Sequence, residues 1–332
     1  MKSKFIKIII GLTLSIVTIS VVGCGSKNQP QLGNNKPKEI RLDFATYNIE
    51  SLVLKEKGWL EQEFKADNIK VSFIESQGSN KSLEYLKSNS IDFGSTAGSA
   101  ALIAKAKGVP IQGVYVYSKP EWAALVTSKN STIKSIKDLK GKKVAVTLGT
   151  DPYIFLLRSL AEVSLTKNDI QLVPLQHADG AAALVSGQVD AWSGLDPHIA
   201  KVQVENGAKL FYRNIDFNTY GFLNVRDAFS KDYPEYVERV IKVYDKARKW
   251  IIANPKDAQK LLEKQARLKP EVAEIQLKRT DFNQSIPGEP QKKALLKAAE
   301  ILKSENIIPS NTDAPKTINE FVNGTFAQKA LK

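Results

Sequence analysis

The sequence predicts an α/β protein of two lobes, each a sheet faced by helices. Three observations carry that prediction. From Ile40 onward, short β-type runs alternate with helical ones, the rhythm of a largely parallel sheet. The same rhythm starts afresh at Lys143. An eight-residue stretch of the first series also reappears without gaps in the second: Leu86-Lys87-Ser88-Asn89-Ser90-Ile91-Asp92-Phe93 against Leu184-Val185-Ser186-Gly187-Gln188-Val189-Asp190-Ala191.

In the first series, residues 40–44 alternate as a strand. A helix follows from about residue 51 and stops at Gly58, with 59–64 as a second short turn. Further strands are expected at 71–74, 91–93 and 111–117, and helices at 82–88 and 100–107. In the second series the strands are 143–146, 170–173, 189–192 and 210–212, and the helices 153–162, 180–186 and 197–205. Each copy of the echo reads as a helix end, a turn and the start of a strand. A small-residue loop then follows, Gly94 to Ser99 in one copy and Ser193 to Pro197 in the other. Two apolar stretches, 123–126 and 221–225, bracket the second series and read as the crossings between lobes.

Past Val225 the pattern is helical. Residues 236–252 and 290–302 carry apolar side chains at helical spacing, and Pro255 opens a helix between them. Packing this tail on the first lobe assigns 39–120 and 222–332 to lobe one and 121–221 to lobe two. Such a body of about 295 residues exceeds what one core usually organises, and the 42% apolar share suffices for two.

The start of the chain reads as an address. Lys2, Lys4 and Lys7 precede an apolar run at 8–22, shorter than the roughly 20 residues a membrane-spanning helix needs. The run ends in Val21-Val22-Gly23-Cys24, which resembles a bacterial lipobox. Residues 1–23 are then a lipoprotein signal peptide, Cys24 the lipidated residue, and the polar stretch 24–38 a flexible tether. The expected location is the extracytoplasmic side of the cell membrane, held by a lipid anchor. Cys24 is the only cysteine, which excludes an intramolecular disulfide. The net charge of +13 comes from lysines scattered along amphipathic helices, which suits an anionic membrane or wall and argues against nucleic acid. A monomer is the default, and no motif calls for a metal or another cofactor.

Several motifs together resemble the sulfonate, taurine and nitrate solute-binding proteins of ABC importers. They are Leu54-Lys55-x-x-Gly58-Trp59-Leu60-Glu61, Ile91-Asp92-Phe93-Gly94, the run from Ile136 to Val146, and Val189-Asp190-Ala191-Trp192 followed by Asp196-Pro197. The resemblance covers roughly residues 40–225. It implies the type II periplasmic-binding fold, a small ligand held between the lobes, and partners in a permease and its ATPase. Many members carry a Pro-rich loop after the Asp-Phe-Gly strand, where this chain has Ser95-Thr96-Ala97-Gly98-Ser99.

A cleft between α/β lobes exposes strand C-termini and helix N-termini, whose free N–H groups suit an anion. The candidate ligand contacts are Tyr47, Asn48, Gln77, Gly78, Ser79, Thr96 and Ala97 in lobe one, and Gly149, Thr150, Asp151, His177, Trp192 and Asp196 in lobe two. Each also has an ordinary reading as turn, cap or core. No arginine lies in these loops, so dipoles and hydroxyls would hold the anion, while the acids Asp151, Asp179 and Asp196 leave room for a cationic end. Glu121, Trp122 and Tyr220 flank the crossings and are candidates for the cleft floor.

The expected function is capture of an aliphatic sulfonate or taurine-like anion. The rivals are another solute, such as nitrate, bicarbonate or a thiamine-pathway pyrimidine, and an enzyme on the same fold. Gly94-x-Thr96-x-Gly98, with His177 and His198 downstream, is only a distant echo of a nucleophile elbow, because Thr replaces Ser. No enzyme is therefore expected.

Overall fold

In the computed structural model, which describes residues 36–332, the strands gather into two sheets. Cys24, its leader and most of the tether lie outside the described residues. The chain begins with β1 (Glu39–Phe44), α1 (Ile49–Lys57), α2 (Trp59–Phe64), β2 (Lys70–Glu75), α3 (Ser79–Lys87), β3 (Phe93–Ala97), α4 (Gly98–Ala106) and β4 (Ile111–Pro120). It continues through β5 (Ala123–Thr127), β6 (Lys143–Val146), α5 (Asp151–Glu162), β7 (Gln171–Pro174), α6 (His177–Val185), β8 (Ala191–Leu195), α7 (His198–Asn206) and β9 (Lys209–Tyr212). Then come β10 (Gly221–Arg226), α8 (Asp227–Asp232), α9 (Pro234–Ala253), α10 (Pro255–Ala266), α11 (Pro270–Lys278) and the two-residue β11 (Thr280–Asp281). The helices α12 (Glu289–Ser304), α13 (Ala314–Phe321) and α14 (Thr325–Ala330) finish it.

The first sheet runs β11-β4-β10-β3-β1-β2 and the second β7-β6-β8-β5-β9. Three strands are parallel in each, β2-β1-β3 and β7-β6-β8. The fourth is antiparallel, β10 beside β3 and β5 beside β8. The sheets thus share one plan, with β2, β1, β3, β10 and β4 matching β7, β6, β8, β5 and β9. Burial of alternate or consecutive apolar residues accounts for the strands; in β1, for example, Ile40 and Leu42 are fully buried.

The echo is the same structure built twice. Asp92 N–H donates to the carbonyl of Arg41 at 2.8 Å, and Asp190 N–H to that of Lys143 at 2.9 Å. The two carboxylates return the bond, accepting from Arg41 N at 3.0 Å and Lys143 N at 2.8 Å. Each aspartate clips the start of its strand to the neighbouring parallel strand. The turn before it needs a left-handed residue in both copies, Asn89 at φ 58° and Gly187 at φ 73°.

Two expectations need correction. The stretches Gly94–Ala97 and Ser193–Leu195 are not loops but the bodies of the central strands β3 and β8. Small residues stand there because helices press close: a Cβ on Gly94 would lie 2.6 Å from Ser82 Oγ. The stretches at 123–126 and 221–225 are not crossings either, since they form β5 and β10, each inside a sheet. Their largely apolar character, with only Asn224 polar, reflects burial on both faces. The crossings are the short segments between Pro120 and Ala123 and between Tyr212 and Gly221.

Of the tail helices, α9 packs on the layer of the first sheet, while α11 also meets α7 of the second. Along α9, Val237, Val240, Ile241, Tyr244, Ala247 and Ile251 are buried, against α1, α2 and β4 of the first sheet's layer. Helix α12 touches both sides, α4 in one and α5 in the other.

Candidate functional site

The parallel strands of both sheets end at a common boundary, and the helix that follows each begins there. Two helix N-termini from the first side meet two from the second. At one end, α3 faces α6: a Cβ on Gly78 would stand 2.8 Å from Asn80 Oδ1 and 3.1 Å from His177 Nε2, so any side chain here would push those groups back. Gly149 lies in the same contact, its Cβ position 3.9 Å from Asn80 Cβ. At the other end, α4 faces α5 through the carboxylate of Asp151.

Asp151 accepts hydrogen bonds from four donors. Trp122 Nε1, Thr219 N and Thr219 Oγ1 each donate at 2.8 Å, and Ser99 Oγ donates to Oδ1. An anion buried at the start of α4 is thus fully solvated by protein, the arrangement expected where a helix N-terminus receives negative charge. The carboxylate belongs to the protein itself, so this end is already filled.

The α3–α6 end is different. His177 is 1% exposed, with Nδ1 3.1 Å from Thr147 Oγ1. The Thr147 hydroxyl has one hydrogen and gives it to the carbonyl of Leu175 at 2.8 Å, so Nδ1 carries the proton and Nε2 is a bare acceptor. Among the described residues Nε2 has no partner, and neither has Asn80 Oδ1 beside it. Burial lowers the His177 pKa to about 3 and keeps the ring neutral. Ser79 Oγ accepts from Ala97 N at 2.9 Å, and at the start of α3 Lys81 N already donates to the Gly78 carbonyl at 3.0 Å, so the amides of Ser79 and Asn80 are the ones without a carbonyl a turn earlier.

Beside Tyr47 and Trp122, whose rings meet edge to face at 6.1 Å, lies a narrow gap of about 10 Å³ between the two sides, room for about one water. It is also lined by Asp196, Gln276 and Arg279. Arg279 Nη1 donates to Asp196 at 2.9 and 3.2 Å, and Nη2 to Gln203 Oε1 at 2.8 Å. Burial raises the Asp196 pKa even though Arg279 opposes it. Tyr47 rests on a polar layer beneath: its hydroxyl contacts Ser76 Oγ at 3.1 Å and donates to the Ser95 carbonyl at 3.0 Å. Ser76 in turn donates to Asp43 at 2.7 Å. Complete burial pushes the Asp43 carboxyl up to about 6 despite its hydrogen bonds from Ser76 and Ser95.

Of the residues singled out from sequence, the fold brings Gly78, Ser79, Gly149 and His177 together at one end, with Tyr47, Asp151 and Asp196 at or near the gap. Others are occupied elsewhere. Asn48 caps α1 through Ser51 N and donates to Ser95 Oγ at 2.8 Å. Thr96 Oγ1 accepts from Asn224 inside the first sheet. Ala97 is the N-cap residue of α4, and Thr150 Oγ1 folds back on the Thr147 carbonyl. Trp192 is fully buried in the core under α6, packed on Gly180 and Gly194. Gln77 is exposed and Asp179 faces solvent. Gln276, Arg279 and Thr219 were missed. Arg279 follows α11 in the helical tail, and no local pattern says that this turn returns to the boundary.

Known proteins resemble the chain along nearly its whole length. A protein of Bacillus subtilis (strain 168), provisionally named as an aliphatic sulfonates-binding protein, is 31% identical over 325 residues, or 97% of this chain and 96% of that one. The alkanesulfonate-binding protein SsuA from Xanthomonas axonopodis pv. citri, solved with MOPS, superposes with a TM-score of 0.78 at 25% identity, covering 85% of this chain and 98% of that one. The periplasmic aliphatic sulphonate binding protein SsuA from Escherichia coli gives a TM-score of 0.74 at 26% identity over 87% of this chain and 92% of its own. The architecture is therefore the periplasmic-binding-protein fold, two α/β lobes with a helical C-terminal tail. The description NMT1/THI5 like matches residues 45–258, well over half of the sequence, and the chain belongs to that family.

Proposed function

We propose that the chain is the solute-binding subunit of an ABC importer, capturing an aliphatic sulfonate between its lobes and presenting it to a permease driven by an ATPase. The observation that carries this reading is the meeting of the α3 and α6 N-termini across the boundary, with a glycine at the contact and, among the described residues, no carboxylate filling it. Amides at two helix starts offer an anion several donors and two partial positive charges. The sulfonate oxygens then accept from the first turn of α3 at Gly78 and Ser79, with Gly149 closing over them from the other lobe, while the acceptor His177 Nε2 takes a bridging water rather than the anion itself. The lobes divide at residues 121 and 222 and open about the two crossings.

The names borne by the Bacillus, Xanthomonas and Escherichia relatives support binding rather than turnover. The reading extends to a lipid anchor at Cys24 on the extracytoplasmic side. The test is a melting-temperature screen of the purified protein against alkanesulfonates, taurine, nitrate, bicarbonate and thiamine-pathway pyrimidines. A ligand at a hundredfold excess over Kd stabilises by about 2.7 kcal/mol, several degrees in midpoint. A shift confined to the sulfonates is expected; a shift confined to any other class overturns the assignment. Mass spectrometry of the recovered sulfonate should find it unchanged, and a product would indicate an enzyme.

A further inference from the structure

Helix α6 departs from the lysine-rich surface of this chain. Its counterpart on the first side, α3, exposes Glu84 and Lys87, whereas α6 reads His-Ala-Asp-Gly-Ala-Ala-Ala-Leu-Val with Asp179 as its single formal charge. The outer face of α6, at Ala178, Ala182 and Val185, is exposed, Val185 by 49%. A helix that is apolar all round is normally covered all round. Between this face and α7 run two hollows of about 390 and 430 Å³, which share Val185, Ser186 and Asn206 and so make one groove. Its charged lining is Lys201 in the first hollow and Lys129 in the second, with no carboxylate among the described residues. From Ala178 to Ser186 the groove follows α6 for about 12 Å, some two turns of a helix laid alongside.

The groove starts where a solute would leave. The crossings join β4 to β5 and β9 to β10, and β2 and β7 are the edge strands on the far side of their sheets. Helix α3 follows β2 and α6 follows β7, so their meeting point is the mouth of the cleft and not its hinge. Ala178 directly follows His177 at that mouth, and Leu148, 42% exposed, is next to Gly149 there. We infer that the α6–α7 groove is the surface by which lobe two docks on the importer's membrane-spanning permease, receiving an apolar helix that carries carboxylates opposite Lys129 and Lys201. The inference rests on the importer reading above. A receiver of the solute must seat against the mouth, and an exposed apolar strip bordering it is what such a seat buries. Two lysines in a groove without carboxylates favour an acidic occupant. They disfavour a second copy of this chain, whose net charge is +13.

Ala182 and Lys201 are exposed and belong to none of the contacts assigned to the solute, so changes there separate docking from binding. A photo-crosslinking amino acid at position 182 of the full chain, in its own cells, should capture a membrane-spanning protein that mass spectrometry identifies as the permease. The same group at position 260, exposed on α10, should not. Ala182→Glu and Lys201→Glu should each lower uptake of labelled ethanesulfonate by those cells about tenfold, while calorimetry of the purified variants finds its affinity unchanged. Lys201→Arg, which keeps the charge, should retain uptake. A crosslink from position 182 to a second copy of this chain, no crosslink at all, or full uptake by both glutamate variants overturns the docking assignment. Uptake lost only in step with affinity overturns it equally. Failure of the unsubstituted protein to bind ethanesulfonate overturns the sulfonate reading instead, and the crosslink still decides the surface.

Discussion

Arg279 holds Asp196 across the boundary between the sheets, Nη1 to Oδ2, at 2.9 Å. Arg279 immediately precedes β11 at the edge of the first sheet, and Asp196 immediately follows β8 in the second. Their side chains are 13% and 2% exposed, so the pair is shielded from water and salt. Removing one partner strands the other. Arg279→Met should lower stability to urea by about 3 kcal/mol. Arg279→Lys should recover only part of that, because one ammonium cannot serve Asp196 and Gln203 with the geometry of a guanidinium. A Lys variant as stable as the original would mean that charge alone matters here.

Asp43 gives a pH dependence of known sign. Burial pushes its carboxyl up to about 6 in the folded protein from about 3.8 in the free side chain, so folding favours the protonated form. Its contribution to stability is therefore greatest below about pH 4, declines as the pH rises to about 6, and is level above that. Relative to Asp43→Asn, the unsubstituted protein should lose about 2–3 kcal/mol of stability between pH 4 and pH 7. Urea titrations of both proteins at the two pH values measure the difference.

The histidines act in the opposite direction. Burial lowers the His177 pKa to about 3 and the His198 pKa to about 4, each from 6.5. Stability from a buried neutral imidazole is present above pH 6.5 and is lost as the pH falls through that range toward 4. His198→Gln should therefore show a smaller fall in melting temperature between pH 7 and pH 4.5, by a few degrees. Parallel pH curves for the two proteins would show that His198 does not titrate in isolation from its surroundings.

Gly221 opens β10 at the end of a crossing, against the ring of Tyr117. A Cβ there would come within 2.3 Å of that ring, and Tyr117 is buried with no room to withdraw. Gly221→Ala should cost about 2–3 kcal/mol in a denaturant titration, as overpacking of a full core does. A neutral result would show that β4 and β10 can slide relative to one another.

The two-series rhythm and the echo were legible in the sequence because hydrophobic periodicity and turn residues carry them. The antiparallel placement of β5 and β10 was not, since an apolar run of five residues reads alike whether it crosses between sheets or lies inside one. Strands β3 and β8 were hidden for a different reason. Gly94, Ser95, Thr96, Ser193 and Gly194 have turn-like composition, chosen by the nearness of packed helices rather than by strand propensity. At the boundary between the sheets, residues next to strand ends could be named from the sequence, and those delivered by the tail, Gln276 and Arg279, could not. Their placement depends on how α11 packs against α7, which no local pattern encodes.

The placement of β10 also sets an order of assembly. Every strand of the second sheet lies between residues 123 and 212, so that sheet can form from one continuous stretch. In the first sheet β4 pairs only with β10 and β11, and β10 is more than a hundred residues downstream of it. As the chain emerges from synthesis, residues 111–120 must wait, with a strand edge unpaired, until residues 221–226 arrive to bridge them to β3. The inserted half is then the early-folding half. A segment spanning residues 121–221 should fold when expressed alone, whereas one ending at residue 120 should aggregate through that open edge.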